Sequence, residues 1–191
     1  MIEKLSDRII AYQVKKGILP EGQHVIYKYG YNLLLIRIAN TCSLMGIAAV
    51  LDVYMEMLLF LLAFIPLRQY AGGYHLSKPW KCIVLSNMTV ALVSIVMKYT
   101  EFFTQEMFQT VIIVVAMGII FFLAPIDCAN KRMDNTEKRV YRYRARTVSL
   151  IELIIYMSFT ISDKMAMIRV GICFAYLLVG ISLVLGKRYN N

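Results

Sequence analysis

From Tyr31 to Leu67 the chain is apolar with few interruptions, and that run decides what it can fold into. As one helix it would be roughly 55 Å long at ~1.5 Å per residue, far more than a hydrocarbon core of ~30 Å. The run therefore divides into two spans, about 31–50 and 51–67, with a tight turn near Asp52. Further apolar runs cover 82–97, 108–126, 147–162 and 165–185. Two of these are short and carry Glu152 and several small polar residues, so they are expected to face protein rather than lipid. Hydrophobic residues make up 59% of 191 residues, with a mean hydropathy of +0.61. Soluble domains hold about 45–50%, so the surplus exceeds what a core of this size can bury. Disorder is excluded on the same grounds. The expected fold is a single all-α membrane-embedded domain over 1–191 with six transmembrane helices. The number falls to four if the marginal segments are re-entrant or interfacial.

Residues 1–16 place Ile2, Leu5, Ile9 and Tyr12 at helical spacing, with charges on the other side. Within an N-terminal segment of residues 1–30 this predicts a short amphipathic helix, lying on the membrane surface or packed on the rest of the chain. Gly17, Pro20 and Gly22 end the pattern. These first residues carry charges throughout and lack an uninterrupted apolar core, so no cleavable signal peptide is expected.

Net charge is +9, and its distribution is more informative than its size. Lys and Arg number five in 1–30, three in 68–81, seven in 127–146 and two in the tail from Gly186. The alternate connections hold only Lys98 and Lys164. With six spans every basic segment falls on one side, so both termini and the loops 68–81 and 127–146 are expected on the cytoplasmic side. Tyr141 and Tyr143 among arginines read as interfacial aromatics; nucleic acid is not an expected partner.

Cys42, Cys82, Cys128 and Cys173 are scattered, and His24 and His75 are the only histidines. No CxxC pair or HExxH occurs, so neither a disulfide framework, a metal site nor a cofactor is expected. The informative stretch is Arg68-Gln69-Tyr70-Ala71-Gly72-Gly73-Tyr74-His75, followed by Pro79 and Cys82. Gly72-Gly73 permits positive φ or close approach of another chain. Pro79 suits the first turn of the next helix, with Ser77 or Lys78 at the cap and Cys82 just inside. A helix N-terminus among cations is the kind of site that favours a nucleophilic thiolate, and Arg68, Lys78 and Lys81 are the cations near Cys82. His75 is the nearby proton acceptor, and thiol plus imidazole is the minimum apparatus of cysteine nucleophilic catalysis. In a straight helix the pair would lie ~10 Å apart, but Gly-Gly and Pro79 let the loop fold back. The same residues also fit a packing cysteine, a solvated histidine and a tight connection.

Arg-x-x-x-Gly-Gly-x-His followed seven residues on by Cys82 resembles the signature of the accessory gene regulator protein B (AgrB) family, small multi-span cysteine peptidases of Gram-positive quorum sensing. Length, the amphipathic N-terminus, the order of spans and the later basic loop are similar too. The resemblance implies cleavage of a short AgrD-type propeptide on the C-terminal side of its future signal sequence. Cys82 would be the nucleophile, His75 the general base and then acid, and Arg68, Gly72 and Gly73 supports of the loop or substrate. The acyl-enzyme would be a thioester, released by an internal Cys or Ser of the propeptide as a thiolactone or lactone. A site that excludes water would favour cyclisation over hydrolysis.

The residues name no third catalytic group: Glu56 would reach His75 only if its span bent back, and equally suits an ion pair with Arg37; Glu152 is the other intramembrane carboxylate. Lys131, Arg132, Lys138, Arg139, Arg142, Arg144 and Arg146 form a candidate dock for an acidic propeptide tail or anionic lipid, or serve topology alone. A homodimer is a further expectation from polar residues in the spans. The rival reading is a small multi-pass peptide transporter in which Cys82 is inert.

Overall fold

A computed structural model describes residues 2–20, 22, 24–74, 79–99, 105–127, 133–160 and 166–189. Among them are seven helices: α1 (Ile2–Lys15), α2 (His24–Val50), α3 (Tyr54–Ala71), α4 (Pro79–Tyr99), α5 (Glu106–Leu123), α6 (Asn135–Phe159) and α7 (Ala166–Tyr189). The fold is all-α, and α2 to α7 answer one by one to the six apolar runs. Four are long and apolar enough to cross a membrane: α2, Lys81–Tyr99 of α4, α5 and α7. α3, with Glu56, Arg68 and Gln69, and α6, with its basic first half, lack an equally apolar stretch of that length.

The chain forms two compact units, Met1–Gly46 and Ile47–Asn191. In the first, α1 is tied to α2 by polar contacts. Ser6 donates to Asn32 at 2.7 Å, Gln13 to Tyr31 at 2.6 Å, and Asp7 pairs with Lys28 at 2.6 Å. Leu5 and Tyr12 of the expected apolar face are exposed, whereas Ser6 and Ile10 are buried. Hydrogen-bonding side chains, not the apolar stripe, set which face of α1 meets α2.

In the second unit α2 ends at the expected turn: Asp52 takes φ +61°, tolerated by a short polar side chain, and Val53 N–H donates to Ala48 O at 2.9 Å. α3, α5 and α6 gather around α7, the most buried helix of the set. Small residues allow the approach. A Cβ on Gly171 would stand 2.9 Å from Phe60 N, so α7 touches the α3 backbone there. α3, α5 and α7 run parallel: Phe60 meets Gly171 and Tyr74 meets Ser182, while Glu106 pairs with Arg169 and Ala116 lies beside Gly180. α6 runs against them, with Arg169 bonding to Thr160 O near its end and Tyr176 donating to Ser149 O. The direction thus alternates from α5 to α6 to α7.

α6 turns Ala145, Ser149, Glu152 and Tyr156 inward as one stripe, in line with the expectation that a short polar span faces protein. α4 differs. Few of its residues are buried, Val90, Val93 and Ser94 among them, and its far end is held by Lys98 Nζ donating to Leu51 O at 2.8 Å. Asn87 and Thr89 of α4 donate within their own helix, to Ile83 O and Leu85 O, whereas the buried Ser94 hydroxyl has no hydrogen-bond partner among the described residues.

The contact at Gly171 carries a prediction. Gly171→Ala should lower the thermal stability of the detergent-solubilised protein by about 1–3 kcal/mol, as overpacking does. Gly118→Ala, with nothing within 4 Å of the added Cβ, should leave it unchanged or slightly raised. Thermal unfolding of the two variants side by side checks both.

Candidate functional site

The segment expected as one loop from Arg68 to Cys82 is divided in the structure. Arg68 to Ala71 form the last turn of α3, which continues past Pro66, and the helix stops only where Gly72 takes φ +73°. Apolarity ends before helicity does, because backbone hydrogen bonding continues through the polar turn. Gly72 N–H donates to Arg68 O at 3.1 Å, and Ile126 N–H, from the segment after α5, donates to Ala71 O at 3.1 Å. Gly72 and Ile126 form a parallel bridge, and a Cβ on Gly72 would overlap the Ile126 carbonyl. Gly73 follows with φ +125°, where a Cβ would overlap the Arg68 guanidinium and lie 2.7 Å from Ser182 Oγ. Both glycines are thus required by conformation and by space.

The guanidinium of Arg68 donates Nη1–H to Gly72 O and Nη2–H to Tyr74 O, the latter at 2.6 Å. Its planar fork suits two carbonyls at once, which a lysine would not match. Tyr74 N–H donates to Ser182 O at 2.9 Å and to Ser182 Oγ at 3.2 Å, and the Tyr74 ring meets Tyr189 edge-on. Arg68, Gly72 and Gly73 are therefore brought together as a built turn, seated on α7. His75 lies outside the described residues, as do the cap candidates Ser77 and Lys78. Pro79 opens α4, as its fixed φ favours, and Cys82 stands in the first turn as a half-buried free thiol beside Lys81.

The carboxylate candidates are placed elsewhere. Glu56 occupies the first turn of α3, about 18 Å along the axis from Arg68. α3 does not fold back, so Glu56 is not a partner for the turn. Glu152 sits within the bundle, and neither of its oxygens has a hydrogen-bond partner among the described residues. Among those residues no group of three His, Cys, Asp or Glu could hold a metal ion.

The basic segment expected as a loop over 127–146 is helical from Asn135. Asp134 caps α6: its carboxylate accepts from Glu137 N–H at 2.6 Å, and Glu137 accepts from Asp134 N–H at 3.2 Å. This capping box was readable as Asp-x-x-Glu before a periodic run. The basic side chains divide by role. Lys138 pairs with Asp127 at 2.7 Å, Arg144 lies over the Tyr70 ring at 5.6 Å, and Arg146 donates to Phe121 O at 2.8 Å. Arg139 and Arg142 are exposed; Lys131 and Arg132 lie outside the described residues. Tyr70 also meets Tyr141 edge-on. The ends of α3, α5 and α7 and the start of α6 thus share one end of the bundle, which collects three of the four basic segments. Ser182, Tyr189 and Ile126, which complete the turn's surroundings, had no local signal, since each matters only through a contact distant in sequence.

These features describe an all-helical membrane protein with an arginine-bonded glycine turn at the end of α3 and a free cysteine in the first turn of α4. The sequence profile described as accessory gene regulator B matches residues 4–183, and the chain belongs to that family. It is 26% identical over 164 residues to a putative AgrB-like protein of Clostridium perfringens, covering 82% of this chain and 75% of that one. A putative AgrB-like protein of Lactiplantibacillus plantarum is 25% identical over 171 residues, with 89% and 84% covered. The accessory gene regulator protein B of Staphylococcus aureus is 25% identical over 149 residues, 78% of each chain. No solved structure matches.

Removing the guanidinium should loosen the turn. Hydrogen bonds to a charged group contribute about 1.5–3 kcal/mol, so Arg68→Ala should speed amide exchange at residues 72–74 by about 10–100-fold. Exchange in the middle of α5 should not change; hydrogen-exchange mass spectrometry in detergent reads both.

Proposed function

We propose that this protein is a membrane cysteine endopeptidase that cleaves an AgrD-type quorum-sensing propeptide and promotes its cyclisation. The observation that carries the reading is the half-buried free thiol of Cys82 in the first turn of α4, in a chain of the accessory gene regulator B family whose Arg68 bonds the turn at the end of α3. In this reading the loop and both termini face the cytoplasm of a bacterial plasma membrane, whose reducing conditions keep Cys82 a thiol.

Cys82 Sγ attacks the scissile carbonyl carbon and its proton passes to His75. The tetrahedral oxyanion collapses, the C–N bond breaks, and His75 returns the proton to the leaving amine of the C-terminal fragment. The remaining acyl group is a thioester on Cys82. An internal thiol or hydroxyl of the propeptide attacks that thioester, closes the ring and frees Cys82. Thiol-to-thiol transfer is nearly balanced in energy, whereas water would discard the activated bond, so a dry site favours the ring. Arg139 and Arg142, exposed on the first turns of α6 at the same end, are the basic side chains we assign to an acidic propeptide tail or anionic head groups; Arg144 is exposed as well but lies over the Tyr70 ring. A second copy of the chain is proposed as a partner through polar residues of the spans.

Intact mass spectrometry on protein reconstituted with the propeptide tests the reading. Wild type should gain the mass of the propeptide lacking its tail, Cys82→Ala should gain nothing, and His75→Ala should acylate about 10²–10⁴-fold more slowly. Cleavage and cyclisation by Cys82→Ala would overturn the mechanism. A wild type that neither cuts nor captures the peptide would favour a transporter. For the tail, Arg139→Ala with Arg142→Ala should raise KM several-fold with kcat unchanged, each exposed pair contributing about 0.2–1 kcal/mol, and the difference should shrink at high salt.

A further inference from the structure

We infer that the last turns of α7, through Ser182 and Gly186, are the seat that positions the base of the proposed reaction. The inference rests on the reading of His75 as general base, and adds two positioning residues that lie far from the motif. Tyr74 is the last described residue before position 75, and both of its main-chain polar groups are taken. Its N–H is held by Ser182 O at 2.9 Å and Ser182 Oγ at 3.2 Å, and its carbonyl by Arg68 Nη2 at 2.6 Å. That carbonyl belongs to the peptide unit joining residues 74 and 75. The unit is planar, so fixing its oxygen also fixes the plane from which residue 75 departs.

The other half of the seat is an absence of side chain. A Cβ on Gly186 would stand 2.7 Å from Gly73 C and 2.8 Å from Tyr74 N. Both are backbone atoms, so an alanine there must displace the turn itself rather than swing a side chain aside. Gly186 lies beyond residue 183, where the family profile ends, so its role is not part of that match. Ser182 and Gly186 are one helical turn apart, on one face of α7, and meet successive residues of the turn. Tyr189, a turn further on, continues the contact through the Tyr74 ring.

The test compares wild type, His75→Ala, Gly186→Ala and Ser182→Ala, each reconstituted with the propeptide. It reads propeptide affinity, the single-turnover rate of acyl-enzyme formation and the pH dependence of that rate. A misplacement near 1 Å costs about 100-fold, so Gly186→Ala should acylate about that much more slowly with affinity unchanged within about twofold. Its rate-versus-pH curve should lose the inflection shown by wild type and follow that of His75→Ala; a general loss of folded protein would scale the curve without reshaping it. Ser182→Ala keeps the main-chain bond to Tyr74 and loses only the hydroxyl, so a loss of about two- to tenfold is expected. It keeps the inference testable if Gly186→Ala does not fold. A folded Gly186→Ala with wild-type rate and pH curve overturns the inference while leaving the proposed function standing, and so does an unaffected Ser182→Ala where Gly186→Ala fails to fold. If wild type forms no acyl-enzyme, or His75→Ala matches wild type, the proposed function fails and takes the inference with it.

Discussion

The arrangement depends on how the carbonyls of one turn are satisfied once a helix stops inside a packed bundle. Gly72 ends α3 with positive φ, leaving its own carbonyl and that of Tyr74 without helical partners, and Arg68 donates to both. Both residues are half-buried, and a carbonyl withdrawn from water and left unpaired costs about as much as a lost hydrogen bond. The arginine one turn back within α3 closes the turn from inside. Gly73 leaves room for the guanidinium, and Gly72 leaves room for Ile126. Each residue of the motif thus makes the next one necessary.

α7 is the element on which this turn can rest. It packs against α3 at Gly171 and receives Tyr74 at Ser182, so one helix sets the position of α3 at one end and of its outgoing chain at the other. Direction follows from the same contacts: α3, α5 and α7 run together and α6 returns. The starts and ends that carry basic residues therefore collect at one end. There Arg144 and Arg146 contribute to packing as much as to charge, lying over Tyr70 and Phe121. Lys138 is neutralised by Asp127. Among the described residues of the basic stretch, Arg139, Arg142 and Arg144 are exposed, the last of them lying over the Tyr70 ring.

Much of this was legible beforehand. Apolar run lengths against bilayer thickness divided 31–67 at Asp52 and marked each of α2 to α7. The pattern of lysine and arginine anticipated that the ends after α3, before α6 and at the end of α7 would lie together. Helix boundaries were less legible, because apolarity and helicity answer different demands. α3 carries Arg68 and Gln69 in its last turn, and α6 begins at Asn135, well before its apolar part, on the strength of the Asp134–Glu137 capping box. On α1, Leu5 and Tyr12 of the apolar stripe stay exposed, and the bonds to α2 are made by Ser6 and Gln13, which the stripe did not mark.

By itself the sequence determined the class of fold, the division into apolar helices, the side-by-side charge of the connections and the residues of the turn, since span length, charge and glycine conformations are local properties. Only the tertiary structure decided what holds the turn. Tyr74 and Ser182 are 108 residues apart, and Ile126 and Gly186 are as remote from the motif in pattern as in number. None carries a local mark, because a serine or glycine near the end of an apolar helix satisfies its own helix equally well. Their meaning arises when α7 packs parallel to α3, with backbone meeting backbone at a distance that no side chain could occupy.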